Sequence, residues 1–204
     1  MARQGFQFSK QDIQNLILSG LVVGAAFAGF KEATSFSSIA TVLFFGLITV
    51  SARELGQRTI GQWMEAEVNL ELSRNGAFTA LFVAIFSYIS SLDLVFLTPL
   101  FSEFNIDSHE HWGKGIDAIW SKREYWLVAS GITTLLIGWV ISYSLGVSTL
   151  AEMISLFTFF QLLPLDSNKQ VCGKLDGAYI ILWSGFMWLI FMGITIIAMI
   201  LSVL

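Results

Sequence analysis

Charge is scarce in this chain of 204 residues. Asp, Glu, Lys and Arg together make up 13%, against roughly 25% in an ordinary soluble domain. That shortage excludes a solvated enzyme shell and a disordered chain, both of which are rich in charge. Positive charge is scarcer still: 11 Lys and Arg against 15 Asp and Glu leave a net charge of -4. No basic stripe is present, so nucleic acid is excluded as a partner. The single cysteine, Cys172, excludes a disulfide framework within the chain. What is abundant is apolar surface, with 55% hydrophobic residues and a mean hydropathy of +0.71. This composition predicts a multi-pass integral membrane protein whose first partner is the lipid bilayer.

A spanning helix needs about 20 mainly apolar residues, because backbone groups cannot stay unpaired in hydrocarbon. The uncharged stretches are residues 13–30, 33–52, 75–92 with a continuation to 102, 125–151, its resumption after Glu152 to 165, and 178–204. They predict a bundle of about six transmembrane helices forming one polytopic domain over 1–204, with a tight turn near Gly146 to Ser148. Residues 1–11 are polar and the apolar run behind them lacks a small-residue cleavage site, so no cleaved signal peptide is expected. Ser9 and Asp12 instead have the spacing of a capping box. Gly20 and Gly24, followed by Ala25, Ala28 and Gly29, permit close helix packing within the bundle, with dimerisation as the alternative. With six spans, Arg3, Lys10, Arg58 and Arg74 fall on the side of both termini and Lys31, Lys114, Lys122, Arg123, Lys169 and Lys174 on the other. The positive-inside rule leans toward the second set being cytoplasmic, a lean that vanishes if Lys169 and Lys174 lie in a re-entrant segment, so the orientation stays open.

Two segments break the helical pattern. In residues 67–72 the apolar Val68, Leu70 and Leu72 alternate with Glu67, Asn69 and Glu71, the period of a half-buried edge strand, and Arg74-Asn75-Gly76 supplies a turn signal after it. Residues 103–124 are polar and charged and predict a solvated loop with a short helix around 116–126. Tryptophans such as Trp63, Trp112, Trp120, Trp126 and Trp183 lie near the expected membrane edges and read as interfacial anchors.

Charges at the end of an apolar helix require an account, since a mid-membrane charge costs some 2.5 to 3.5 kcal/mol on insertion scales. Arg53, Glu54 and Arg58 lie in a helix predicted to run from near Ser37 to Trp63, and Asp176 lies between two apolar stretches. On that helix Arg53 and Gln57 share a face and Glu54 is offset by about 100°. Arg53-Glu54-Leu55-Gly56-Gln57-Arg58 resembles the His-Glu-Leu-Gly-His-(Lys/Arg) stretch of the site-2 protease family of intramembrane zinc metalloproteases, with both histidines replaced.

Further elements resemble that family in order: the opening Phe8-Ser9-Lys10-Gln11-Asp12-Ile13, the strand after the zinc helix at 63–72, Ser130-Gly131 with Ile132 in place of a proline, Phe160-Gln161-Leu162-Leu163-Pro164, and Leu175-Asp176-Gly177. The resemblance extends over nearly the whole chain. It implies the family's fold, a small β element after the second helix, and Asp176 in the place of the third zinc ligand. It also implies that the strand carrying Val68 and Leu70 lies near the cleft, where an extended client segment would pair with its backbone. An alternative is a strand that only shields the helix ends.

Catalytic zinc of this kind needs three protein ligands and an open position. Arginine has no lone pair to offer, glutamine is a weak donor, and Asp176 alone does not hold zinc. Without the metal, Glu54 is left as a vestigial general base. The resemblance thus implies the scaffold without its cofactor: a pseudoprotease that binds or regulates transmembrane or juxtamembrane clients. Arg53 is expected to stand in for the cation and to pair with Asp176, and with Glu54 as a further partner. The competing reading has Arg53 and Arg58 snorkelling to the interface. Two other functional readings stand beside the pseudoprotease. One is an active intramembrane metalloendopeptidase with a displaced zinc site involving His109, His111 and Asp176; the other is a small transporter, for which the chain shows no inverted repeat. His109-Glu110-His111 reads otherwise as solvated loop, Cys172 as an ordinary small residue, and Asp93 as a helix cap.

Overall fold

The first helix begins where its capping box predicts. Ser9 Oγ accepts the Asp12 N–H at 3.0 Å, and the Asp12 carboxylate accepts the Ser9 N–H at 3.0 Å. The structure, a computed structural model, describes residues 8–31, 35–64, 66–90, 94–97, 100–106, 116–166 and 173–203. Within them α1 (Lys10–Phe30) and α2 (Phe36–Met64) are followed by β1 (Ala66–Leu72), α3 (Arg74–Ser90), β2 (Leu100–Ile106), α4 (Ile116–Ser144), α5 (Ser148–Gln161), α6 (Asp176–Trp183) and α7 (Gly185–Val203). Asp93, Cys172 and His109-Glu110-His111 lie outside the described residues.

Four helices are long and apolar enough to cross a bilayer: α1, α2, Arg123–Ser144 of α4, and α7. Six were expected, and the difference falls on the third and fifth stretches. The third forms a helix of only 17 residues, about 26 Å at 1.5 Å per residue. The chain then leaves helix for 94–97 and enters β2, so the apolar run to Ser102 is not one span. The fifth forms α5, 14 residues or about 21 Å long, short of the roughly 30 Å of hydrocarbon. Eight of its residues are buried, so α5 packs inside the bundle. The last stretch is broken at Ser184, whose extended backbone separates α6 from α7. In α4 the helix expected near 116–126 and the span behind it are continuous.

β1 pairs antiparallel with β2, Ala66 opposite Ile106 and Leu72 opposite Leu100. Val68 and Leu70 point into the protein while Glu67 and Asn69 are exposed, as their alternation predicts. The partner strand falls across a boundary that the sequence places between a span and a loop. Its hydrophobicity does not alternate cleanly: Leu100, Ser102 and Phe104 share one face, and Phe101 and Glu103 the other. The expected turn at 74–76 is instead the first turn of α3, where Ser73 Oγ accepts the Gly76 N–H at 3.0 Å.

The chain direction follows from contacts between helix ends. At one end, the start of α1 meets the end of α2 through Asp12 and Arg58, and meets β1 through Asn15 and Leu70. At the other, Lys31 behind α1 pairs with Glu152 of α5 at 2.6 Å, and Trp139 Nε1 near the end of α4 donates to Ser202 Oγ near the end of α7 at 2.8 Å. The turn at Gly146, with φ 72°, also closes this far end. The start of α1 and the end of α7 therefore lie at opposite ends of the bundle, because the short α5, which is not among the four long helices, carries the chain back from the far end between α4 and α7.

Small residues set the α1–α2 distance. A Cβ on Gly46 would run into the Gly20 carbonyl oxygen and come within 2.6 Å of the Gly24 nitrogen, so the glycines singled out in α1 serve packing within the chain. The core behind them holds Val23, Phe27, Val50, Ile132, Leu135 and Phe157. Large apolar side chains such as Phe44, Phe82, Ile89, Leu189 and Ile197 face outward, toward lipid in a membrane protein. Overpacking a tight contact costs about 1 to 3 kcal/mol. Gly46→Val is expected to lower the Tm in detergent by several degrees, whereas Gly193→Ala, with open space around it, leaves it unchanged; light scattering or differential scanning fluorimetry checks the contrast.

Candidate functional site

Helix α2 carries the polar residues that the sequence singles out, and two neighbours hold its end in place. Ser130 Oγ donates to the Gly56 carbonyl at 3.0 Å, and a Cβ at Gly131 would lie 2.8 Å from Gln57 Cγ. Ser130-Gly131 thus lies in an unbroken stretch of α4, where the missing side chain makes room for Gln57. On the other side, a Cβ at Gly177 would run into the Leu162 carbonyl oxygen. Only glycine lets the start of α6 abut the end of α5, and that contact brings Asp176 beneath α2.

Arg53 is 0% exposed. Its Nε donates to Asp176 Oδ2 at 2.8 Å and its Nη2 to Oδ1 at 2.5 Å, a fork-on-fork pair between residues 123 apart in sequence. Its Nη1 donates to Ser102 Oγ of β2 at 3.0 Å, and Ser102 Oγ donates to Gln57 Oε1 at 2.7 Å. One guanidinium therefore ties α2, α6 and β2 together, with Gln57 reached through the serine. Of the two readings of Arg53, the structure has the internal pair.

A second network lies along the same helix. Arg58 Nε donates to Glu54 Oε1 at 2.7 Å, and Arg58 Nη2 lies 3.1 Å from Asp12 Oδ2. The Phe8 ring covers the guanidinium at 4.3 Å, within cation–π reach. Two expectations are corrected here. Arg58 does not snorkel, because two carboxylates reach it inside the bundle and its side chain is nearly buried. Glu54 pairs with Arg58, one turn away on its own face, and makes no ion pair with Arg53 among the described residues, because the Arg53 fork is turned toward Asp176. The buried centre thus sets two guanidinium groups among three carboxyls, those of Asp12, Glu54 and Asp176.

Several buried polar atoms have no hydrogen-bond partner among the described residues: Glu54 Oε2, Gln57 Nε2, and both amide atoms of Gln161. Gln161 ends α5 and is 0% exposed.

The described residues of this centre do not fit zinc. The position that the resemblance assigns to a first ligand holds a guanidinium, and both Asp176 oxygens accept hydrogen bonds from it. Among the described residues no three of His, Cys, Asp and Glu converge as a metal site.

Asp12 and Ser102 complete the centre, and neither is assigned to it from the sequence. Asp12 carries a helix-capping signal that accounts for its charge without a tertiary role, and Ser102 sits at the end of an apolar run. Asn15, whose Nδ2 donates to the Leu70 carbonyl at 2.7 Å, likewise carries no local signal.

Compared with known proteins, the chain matches no family model, no curated protein and no solved structure. Fold and site define a class: a multi-pass integral membrane protein with a small antiparallel sheet and an ion-paired polar centre at one end of its helices.

Removing one partner of a buried pair costs about 3 to 5 kcal/mol, while replacing both by apolar groups is often neutral. Arg53→Met and Asp176→Leu are each expected to lower the Tm in detergent sharply, and the double variant to recover most of the loss. Additive losses in that cycle would contradict a direct pair.

Proposed function

We propose that the chain is a site-2 protease-like membrane protein in which an internal ion pair stands in place of a metal centre, a pseudoprotease that binds membrane-protein clients without cleaving them. The observation that carries this reading is the position of the Arg53 guanidinium. It sits on the α2 face shared with Gln57, one residue before Glu54, and holds the Asp176 carboxylate brought up by α6. Of the three positions expected to surround a cation, one supplies the guanidinium itself, Asp176 pairs with it directly, and Gln57 meets it through Ser102. In this reading Glu54 is engaged by Arg58 and the centre positions its elements and does not hydrolyse.

A client would meet the sheet at β2. Leu70 turns its C=O to Asn15 and its N–H toward Asp12, at 2.7 and 3.4 Å, so β1 is covered by α1 on one edge and by β2 on the other. Leu70 and Ser102 then form a non-hydrogen-bonded pair. Ser102 turns its own N–H and C=O away from β1, where no described residue bonds them. An extended client segment would satisfy that edge by strand addition beside Arg53. The pairing strand in this reading is β2; Val68 and Leu70, the candidates on β1, pack inward. Ser102 is buried, so pairing requires local opening.

Metal content tests the scaffold reading. The Arg53→His/Gln57→His variant, with Asp176 retained, is expected to bind about one zinc per chain in a chelator-sensitive way, because it presents three ligands in the order and spacing that zinc requires. The unaltered protein is expected to bind none. A folded double variant without zinc would remove the support for the scaffold, and stoichiometric zinc in the unaltered protein would favour a working metalloprotease.

A further inference from the structure

The two ends of the bundle differ in charge in a way that the sequence alone does not reveal. The end that carries the sheet is defined by the contacts Asp12–Arg58, Asn15–Leu70 and Arg53–Asp176. Apart from Arg53 and Arg58, which are paired inside the bundle, the described cations at this end are Lys10 at the start of α1, Arg74 at the start of α3, Arg123 at the start of the α4 span, and Lys174 just before α6. At the far end the described cation is Lys31. It is paired with Glu152 at 2.6 Å, and its Nζ lies 5.3 Å from the Phe30 ring centre.

Sorting by span number alone puts Arg123 and Lys174 on the side of Lys31. The fold moves them, because the chain passes out through α3 and returns by way of 94–97 to pair β2 with β1, so α4 starts at the sheet end. Lys174 joins them because α5 returns from the far end, where Glu152 meets Lys31.

We infer that the protein is held in the membrane with the sheet and the charge centre on the cytoplasmic side, with the start of α1 on that side and the end of α7 on the opposite one. The physical basis is the excess of Lys and Arg flanking the spans among the described residues at one end, four against one, which biases how helices insert. The inference also names the kind of partner: an extended juxtamembrane segment on the cytoplasmic side, because β2 and Arg53 lie at that end. This last step rests on the client-binding reading above, while the orientation does not.

Cysteine labelling in cells expressing the full chain tests it. In a Cys172→Ser background, Asn69→Cys in β1, Leu145→Cys at the far turn and Val203→Cys at the end of α7 all fall on exposed positions. A membrane-impermeant maleimide is expected to modify positions 145 and 203 in intact cells, and position 69 only after permeabilisation, each measured against full labelling in detergent. The reverse pattern overturns the orientation. Labelling of 69 and 203 from the same side overturns the opposed ends. Either result leaves the zinc test of the scaffold untouched, so the two ideas fail separately.

Discussion

A guanidinium with no exposed surface has to be matched by a carboxylate, and in this protein the match lies 123 residues along the chain. That single requirement determines the arrangement of α2, α6 and β2. Arg53 is permanently charged and cannot escape by losing its proton, so the bundle closes only when Asp176 arrives beneath it. Asp176 arrives only because Gly177 lets the start of α6 press against the end of α5. A low-dielectric interior makes such a pair strong and makes either half alone costly. Its contribution is therefore greater to uniqueness than to net stability.

The rest of the polar centre follows from the same economy of charge. Arg58 bridges Glu54 on its own helix and Asp12 on α1, and Asp12 also closes the capping box with Ser9. One aspartate thereby couples the start of the first helix to the end of the second. Close contact between glycines at 20, 24 and 46 holds the same two helices together further along. Dispersion and backbone proximity do this without any polar group in the lipid-facing layer. Polar interactions gather at one end of the bundle, apolar packing fills its length, and the far end is joined by the Lys31–Glu152 pair.

Much of this was legible in the residues. The four long helices follow from uncharged runs of sufficient length, β1 from its strict alternation, and the start of α1 from two residues at capping spacing. These are local signals, and each depends on residues a few positions apart. The count of spans was not legible in the same way, because α3 and α5 are apolar for a reason other than crossing: α5 is buried among other helices, and α3 is followed by a strand. β2 stayed hidden because a strand whose two faces are both mixed leaves no clear period, and its pairing with β1 is a contact across α3. Within the site, Arg53 and Asp176 announced a pairing by being charged where charge is costly. The role of Ser102 as the link between Arg53 and Gln57 had no signal, since a serine at the end of an apolar run has many ordinary explanations.

The sequence by itself determined that this chain lives in a membrane, where its long helices lie, and that a positive side chain occupies a place unsuited to binding a metal. Only the tertiary structure decided which carboxylate meets which guanidinium, that Glu54 goes to Arg58 while Asp176 goes to Arg53, and that the start of α1 and the end of α7 lie at opposite ends of the bundle. Helix and strand are short-range consequences of residue order. The pairing of charges depends on which helix faces come within about 3 Å of one another, and that is settled by the packing of segments far apart in the chain.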